Sequence, residues 1–321
     1  MMKVSIVIPC FNEEEVLPQL FHRLSAAAEG WPGDWEVICV DDGSRDKTWQ
    51  LLEAQQQKDP RWRALSFARN FGHQTAVSAG IYHAEGDAVM VIDADLQDPP
   101  EELIRFIQKW REGFEVVYAV REKRKEGPIK RAFYWLFYRL MSRVVSFELP
   151  QDSGDFCIMD RKVVEVLKAM PERNRFVRGL RAWAGFRQTG LSYERQARAG
   201  GEAKYNFRAL VRLASDGIFS FSTVPLRLVS QAGMWISAVS FLGIIWVLLT
   251  KIFDGFFFRH GFPPVQGFTT IVISVLFLGG IQMMSLGIIG EYIGRIYDEV
   301  KRRPPWIIQG SVGITPKIPD K

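Results

Sequence analysis

Cysteine is scarce. Only Cys10, Cys39 and Cys157 occur in 321 residues, and none shows metal-ligand spacing. Two of them fall in apolar runs that read as buried strands, so free thiols in a reducing compartment are expected. A dinucleotide fingerprint is also missing. The first apolar run is followed by Pro9-Cys10-Phe11-Asn12-Glu13 rather than Gly-x-Gly-x-x-Gly, which argues against a nicotinamide-dependent oxidoreductase. That first run reads as a short strand, so no signal peptide is expected after Met1-Met2-Lys3. Charge is absent from two long stretches, 232–249 and 262–290. Each supplies the ~20 residues needed to cross a bilayer core.

Elsewhere charge is plentiful and unbalanced, with a formal net charge of +5. Such a balance points to nucleic acid, anionic lipid or an anionic substrate. The basic residues cluster beside aromatics. Lys123, Arg124, Lys125, Lys130, Arg131 and Arg139 are interleaved with Phe133, Tyr134, Trp135, Phe137 and Tyr138. Beside two uncharged runs, this mix suits a helix at the headgroup level better than a nucleic-acid surface. A second basic-apolar stretch, 205–228, carries Arg208, Arg212 and Arg227 just before the first run. It suits either the same interface or packing against the main domain.

The first 230 residues alternate strand and helix signals. Apolar β-rich runs occur at 4–9, 36–40, 64–67, 88–93 and 116–119. Helical stretches are expected from Glu13, after Ser44 or Asp46, over 75–84, and from Pro99-Pro100-Glu101-Glu102. This rhythm predicts a mostly parallel sheet covered by helices, with ligands beyond the carboxyl ends of its strands. Polar clusters stand at those ends: Asn12-Glu13, Asp41-Asp42 and Asp93-Ala94-Asp95. The last follows Val89-Met90-Val91-Ile92 directly. On an extended strand, residues two apart share a face. Asp93 and Asp95 would then offer two hard oxygen ligands together, as Mg²⁺ or Mn²⁺ prefers when it is shared with substrate phosphates. For an isolated pair of this kind solvated turn carboxylates would be the favoured reading; the rest of the chain reverses that preference.

The motifs taken together resemble a family 2 glycosyltransferase of the GT-A fold. They are Val7-Ile8-Pro9-Cys10-Phe11-Asn12-Glu13-Glu14, Val40-Asp41-Asp42-Gly43-Ser44, Arg69-Asn70-Phe71-Gly72, Asp93-Ala94-Asp95-Leu96-Gln97-Asp98-Pro99, Gly154-Asp155-Phe156 and Gly201-Glu202-Ala203-Lys204-Tyr205. Within that family the chain resembles polyisoprenyl-phosphate glycosyltransferases. Pro171-Glu172-Arg173-Asn174-Arg175-Phe176 and Ser220-Phe221-Ser222-Thr223 look closest to the bactoprenol glucosyltransferases. A processive polysaccharide synthase would need more spans and a Gln-x-x-Arg-Trp motif, where this chain reads Gly179-Leu180-Arg181-Ala182-Trp183.

The resemblance implies roles. Pro9, Phe11, Glu13 and Asp42 would frame uridine, with Asp41 or Asp42 holding base or ribose. Asp93, Asp95 and Gln97 would bind Mg²⁺ or Mn²⁺ with the diphosphate, and Asp155 matches the residue usually assigned as catalytic base. Arg121, Arg131, Arg198 and Lys204 would hold lipid or donor phosphates. The implied reaction is inverting transfer of a hexose, glucose first, to a polyisoprenyl phosphate; mannose, N-acetylglucosamine and aminoarabinose stay open. The rival is a membrane scaffold in which these carboxylates are idle.

The expected organisation is a GT-A domain over 1–205, an amphipathic juxtamembrane segment over 206–231, two spans within 232–294 (about 232–253 and 266–290), and a tail over 295–321. Arg295, Lys301, Arg302 and Arg303 follow the second span, so the positive-inside rule puts tail and catalytic domain in the cytoplasm. Gly279-Gly280 and Gly287-x-x-Gly290 allow close helix packing, and with the family they suggest a homo-oligomer.

Overall fold

A computed structural model describes residues 2–121, 153–173, 175–194, 224–252 and 268–317. The chain divides into two compact units, one formed by 1–218 with 301–321 and the other by 219–300.

The first unit is built on one eight-stranded sheet. Its strands are β1 (Lys3–Cys10), β2 (Asp34–Asp41), β3 (Trp62–Phe67), β4 (Ala88–Val91), β5 (Val116–Arg121), β6 (Ser153–Asp160), β7 (Gln188–Tyr193) and β8 (Ile308–Val312). They lie in the order β7-β5-β6-β4-β1-β2-β3-β8. Among the described residues its α-helices are α1 (Leu17–Ala28), α2 (Thr48–Lys58), α3 (His73–His83), α4 (Leu103–Arg111), α5 (Arg161–Ala169) and α6 (Val177–Trp183).

The mostly parallel sheet expected from the β-α rhythm is in fact mixed. β1 pairs in parallel with β2 and β4, as do β2 with β3 and β5 with β7. β6 instead inserts antiparallel between β4 and β5, and β8 adds antiparallel to β3. The expectation holds for the pairings among β1 to β4 and gives way at β6 and β8, because it extended the local rhythm to every pairing. β4 and β5 are consecutive but not neighbours, and β6 arrives from much later in the chain.

The central strands are apolar nearly throughout because both their faces are covered; the exceptions within β1 and β2, Ser5 and Glu36, are buried and hydrogen-bonded to each other. On one face Ile6, Ile8, Val37 and Met90 pack with Leu17, Leu20 and Leu24 of α1, all fully buried. Those leucines recur at helical spacing and form the stripe that seats α1. On the other face α3 lies against β1 so closely that a Cβ at Gly80 would stand 2.2 Å from Val7 Cγ1.

Two element boundaries differ from expectation. α1 begins at Leu17 rather than Glu13, whose carbonyl closes the preceding turn by accepting the N–H groups of Val16 and Leu17. β4 ends at Val91, so Asp93 and Asp95 sit on a turn, not on the strand. Leu96, just beyond the pair, adopts φ +56°, so the chain turns sharply as it leaves Asp95.

Among the described residues, the second unit holds the helices α7 (Val224–Ile252) and α8 (Phe268–Val300), of 29 and 33 residues. Met234, Trp235, Phe241, Ile271, Val275 and Met283 on them are all more than 60% exposed. Among the residues whose side chains are described, no helix is long and apolar enough to cross a membrane; parts of both uncharged runs fall outside those residues.

Candidate active site

The site lies where the carboxyl ends of β1, β2, β3 and β4 release their loops. The loops after β1 and β2 are stitched together. Asn12 N–H donates to Ser44 Oγ at 2.9 Å, and Arg45 N–H donates to Asn12 Oδ1 at 2.9 Å. Glu13 N–H donates to Thr48 Oγ1 at 2.9 Å, while Glu14 N–H donates to Asp46 Oδ2 at 3.1 Å. Asn12 takes φ +54° to make this clasp, a conformation asparagine tolerates better than most residues. Pro9 is buried at the end of β1 and Phe11 is half-buried just beyond it.

Asp41 and Asp42 are almost fully buried at the end of β2. Asp41 accepts from Ser44 N–H at 3.0 Å and from the Ser66 hydroxyl at 2.8 Å. Asp42 accepts the N–H groups of Phe71 and Gly72 at 2.6 and 2.9 Å, and so anchors the loop that starts α3. Gly43, at φ +70°, passes so close to that loop that a Cβ would lie 2.5 Å from the Arg69 carbonyl carbon.

The second half of the site forms because β6 is antiparallel. Val91 pairs with Cys157, so the start of β6 faces the end of β4. That register brings Asp155 to the Asp93 turn. His73, the first residue of α3, stands between them: its Nε2 is 3.3 Å from Asp155 Oδ2 and 3.6 Å from Asp93 Oδ1. Gln74 donates to Asp155 Oδ2 at 2.9 Å, and Arg178 Nε lies 3.9 Å from Asp155 Oδ1.

These contacts separate the charge states of the two carboxylates. Burial pushes Asp93 up to about 6; the charge of His73 opposes this, while Asp155, Asp98 and Asp95 add to it. Burial also acts to raise Asp155. The hydrogen bond to His73 and the charges of Arg178 and Arg181 outweigh burial and hold it well below the usual carboxylate range. Burial lowers His73, but its bond to Asp155 and the charges of Asp93 and Asp155 push it up to about 9, so it is cationic at neutral pH.

Asp95 is 7% exposed and accepts the backbone N–H of Gln97 at 3.1 Å, which folds the turn over itself. Asp98 is held by the Tyr193 hydroxyl. Among the described residues, no three His, Cys, Asp or Glu side chains converge as a ready-made metal cage. The donor set still fits a hard cation, because buried Asp93 Oδ1 has no hydrogen-bond partner and its charge is under-compensated. Mg²⁺-type sites typically use one or two carboxylates and complete the shell with substrate phosphates and water.

Arg121 closes β5, in register with Tyr193 of β7. Arg131, Arg198 and Lys204 lie outside the described residues. The sequence reading did not single out His73, Gln74 or Arg178. A signal was present for the first two, since they are polar residues opening an otherwise apolar helix directly after the Arg69-Asn70-Phe71-Gly72 motif.

An α/β sheet with acidic loops at its carboxyl edge and a basic-acidic cluster across β4 and β6 fits the GT-A glycosyltransferase class that the motifs resemble. The description "Glycosyl transferase family 2" matches residues 5–168, and "GtrB C-terminal hairpin" matches residues 224–296. The chain belongs to glycosyl transferase family 2, and it is a glycosyltransferase. It is 44% identical over 317 residues to an uncharacterized glycosyltransferase of Bacillus subtilis, covering 98% of this chain and 96% of that one. It is 41% identical over 311 residues to the bactoprenol glucosyl transferase of Shigella phage SfII, covering 97% and 98%. Among solved structures it resembles glucosyl-3-phosphoglycerate synthase of Mycobacterium tuberculosis in complex with Mn²⁺, UDP-glucose and phosphoglyceric acid. That likeness has 17% identity and a TM-score of 0.46, and it covers 68% and 78% of the two chains.

Proposed function

We propose that the protein transfers a hexose, most simply glucose from UDP-glucose, to a polyisoprenyl phosphate such as undecaprenyl phosphate. The near full-length likeness to a bactoprenol glucosyl transferase carries this reading. In it, the acceptor phosphate oxygen attacks the anomeric carbon, the bond from that carbon to the diphosphate breaks, and the nucleoside diphosphate leaves with inversion. Pro9, Phe11, Glu13, Asp41 and Asp42 frame the nucleotide. Asp93, Asp95 and Gln97 would hold Mg²⁺ or Mn²⁺, which neutralises charge on the leaving diphosphate when bound. Arg121, Arg131, Arg198 and Lys204 would meet the phosphates of donor and acceptor, two anions that otherwise repel.

Asp155 in this reading orients substrate rather than removing a proton. Its Oδ2 receives Gln74 and faces the His73 cation, so its affinity for a proton is very low. Nor is a base needed, since a phosphate monoester with a second pKa near ~6 is mostly dianionic at neutral pH.

α7 and α8, with their exposed apolar side chains and the hairpin match over 224–296, support a two-span anchor. We place the catalytic domain of 1–205 at the cytoplasmic face of the plasma membrane and the juxtamembrane segment of 206–231 at its surface. The spans fall within 232–294, and the 295–321 tail lies on the same side as the catalytic domain. The glycines of α8 fit a homo-oligomer.

The decisive experiment offers UDP- and GDP-sugars to undecaprenyl phosphate in detergent, with Mg²⁺ or EDTA, using wild type and Asp95→Ala. Metal-dependent labelling by one donor, lost in the variant, establishes the reaction and the sugar together. Metal-dependent nucleotide binding without labelling of the lipid by any donor would overturn the acceptor assignment.

A further inference from the structure

We propose that Gln309 is a positioning residue for the donor nucleotide, acting on Asp41 through the hydroxyl of Ser66. The inference rests on the nucleotide role given to Asp41 above. Gln309 lies outside both matched family regions, which cover 5–168 and 224–296.

β8 does more than add a strand. Ser66 pairs with Gly310 and Phe67 with Ile308, so Gln309 is the extra residue of a bulge. Bulges re-aim a side chain and are frequent beside active sites. Here the bulge delivers the Gln309 amide to Ser66 Oγ, with Nε2 donating at 3.2 Å. The Ser66 hydroxyl in turn donates to Asp41 Oδ2 at 2.8 Å. A serine hydroxyl has one hydrogen and two acceptor lone pairs. With the amide donating to its oxygen, that hydrogen stays committed to Asp41. The other oxygen of Asp41 takes the Ser44 N–H at 3.0 Å, so both are set by neighbours. Ser66 and Asp41 are each 1% exposed and are register partners across β2 and β3.

The segment that carries Gln309 is pinned independently. Trp306 is buried, stacks on Phe67 at 6.4 Å and 12°, and meets Tyr82 edge-on at 6.0 Å. Ala68 N–H donates to the Ile307 carbonyl at 2.9 Å, and Lys317 N–H donates to His83 Nε2 at 2.8 Å. Gln309 itself is exposed, so shortening or replacing it opens no cavity. An effect on the donor site would therefore travel through the hydrogen bonds and not through lost packing.

The test uses the full chain in detergent and measures UDP affinity together with donor KM and kcat. The variants are Gln309→Leu, Ser66→Ala, the double variant and Asp41→Asn. The expected result is a weakening of UDP affinity and a rise in donor KM of about three- to tenfold in Gln309→Leu, the size of one hydrogen bond, with kcat little changed. Ser66→Ala should match it, and the double variant should be no worse than Ser66→Ala alone. Additive losses, or wild-type affinity in Gln309→Leu beside weakened Asp41→Asn, would overturn the relay and leave the nucleotide reading intact. Unchanged affinity in Asp41→Asn would overturn the role of Asp41 and the relay with it.

Discussion

Gln74 holds Asp155 with one end of its amide: Nε2 donates to Asp155 Oδ2 at 2.9 Å, while Oε1 accepts the Val177 N–H at 2.9 Å. The two bonds fix the orientation of the amide and tie β6 to the start of α6, which carries Arg178. Replacing Gln74 with leucine removes a hydrogen bond to a charged carboxylate, worth about 1.5–3 kcal/mol. If Asp155 orients the reacting groups, kcat should fall roughly ten- to a hundredfold. Donor KM should change little, because Gln74 touches none of the residues assigned to the nucleotide. Steady-state kinetics with saturating lipid acceptor checks this split, and an unchanged kcat would show that the Gln74 bond does not set the orientation of Asp155.

Asp93 is expected to trade stability for function. Burial raises it to about 6, so its charged form is less favourable in the fold than in the unfolded chain. The resulting penalty is absent well below the usual carboxylate range and grows as pH rises through about 6. Asp93→Asn should therefore abolish metal-dependent transfer while leaving Tm equal or higher at pH 8, measured with EDTA present. At pH 4 that advantage should vanish. A lower Tm at pH 8 would mean that the ion pair with His73 outweighs burial.

Glu36 behaves in the opposite sense. Burial acts to raise it, but hydrogen bonds from Lys3, Ser5 and Glu85 N–H and the charge of Arg63 bring it below its ordinary value. Lys3 Nζ and Arg63 Nη2 lie 2.7 and 3.0 Å from its Oε2. A depressed carboxylate stabilises the fold above its unfolded pKa, and that contribution is lost as pH falls through the folded value. Glu36→Gln should cost about 2–3 kcal/mol at pH 7, less than a fully buried pair because both cations can rehydrate. Denaturant titrations should show the gap between variant and wild type closing towards pH 3.

Gly80 tests the packing of α3 on β1. A Cβ there would stand 2.2 Å from Val7 Cγ1, and that side chain has no room to retreat in the sheet. Gly80→Ala should destabilise by about 1–3 kcal/mol through overpacking. Val7→Ala introduced beside it should recover part of that loss, since it deletes the clashing methyl.

Much of the fold was legible because its signals are local. Alternating apolar runs and polar punctuation located the first five strands to within about two residues at most ends, since burial on both faces of a sheet imposes continuous apolar sequence. The place of the acidic pairs was also legible, because polar residues directly after an apolar strand fall at the carboxyl edge of the sheet. Asp155 was reached only through the Gly154-Asp155-Phe156 motif of the family resemblance, with no physical account of why it should meet Asp93. His73 and Gln74 passed unnoticed because a polar first turn is ordinary in any helix.

By itself, the sequence determined the first five strands and the helices between them, the basic balance, the two uncharged runs and the acidic residues at strand ends. These follow from periodicity and composition within windows of ten to thirty residues. The tertiary structure alone decided which strands are neighbours. The antiparallel insertion of β6 between β4 and β5 puts the start of β6, and so Asp155, at the same edge as Asp93. The return of the chain after α8 supplies β8 and brings Gln309 to Ser66 across 243 positions. Strand pairing is settled by the burial and hydrogen bonding of the whole sheet at once, and no local window carries that information.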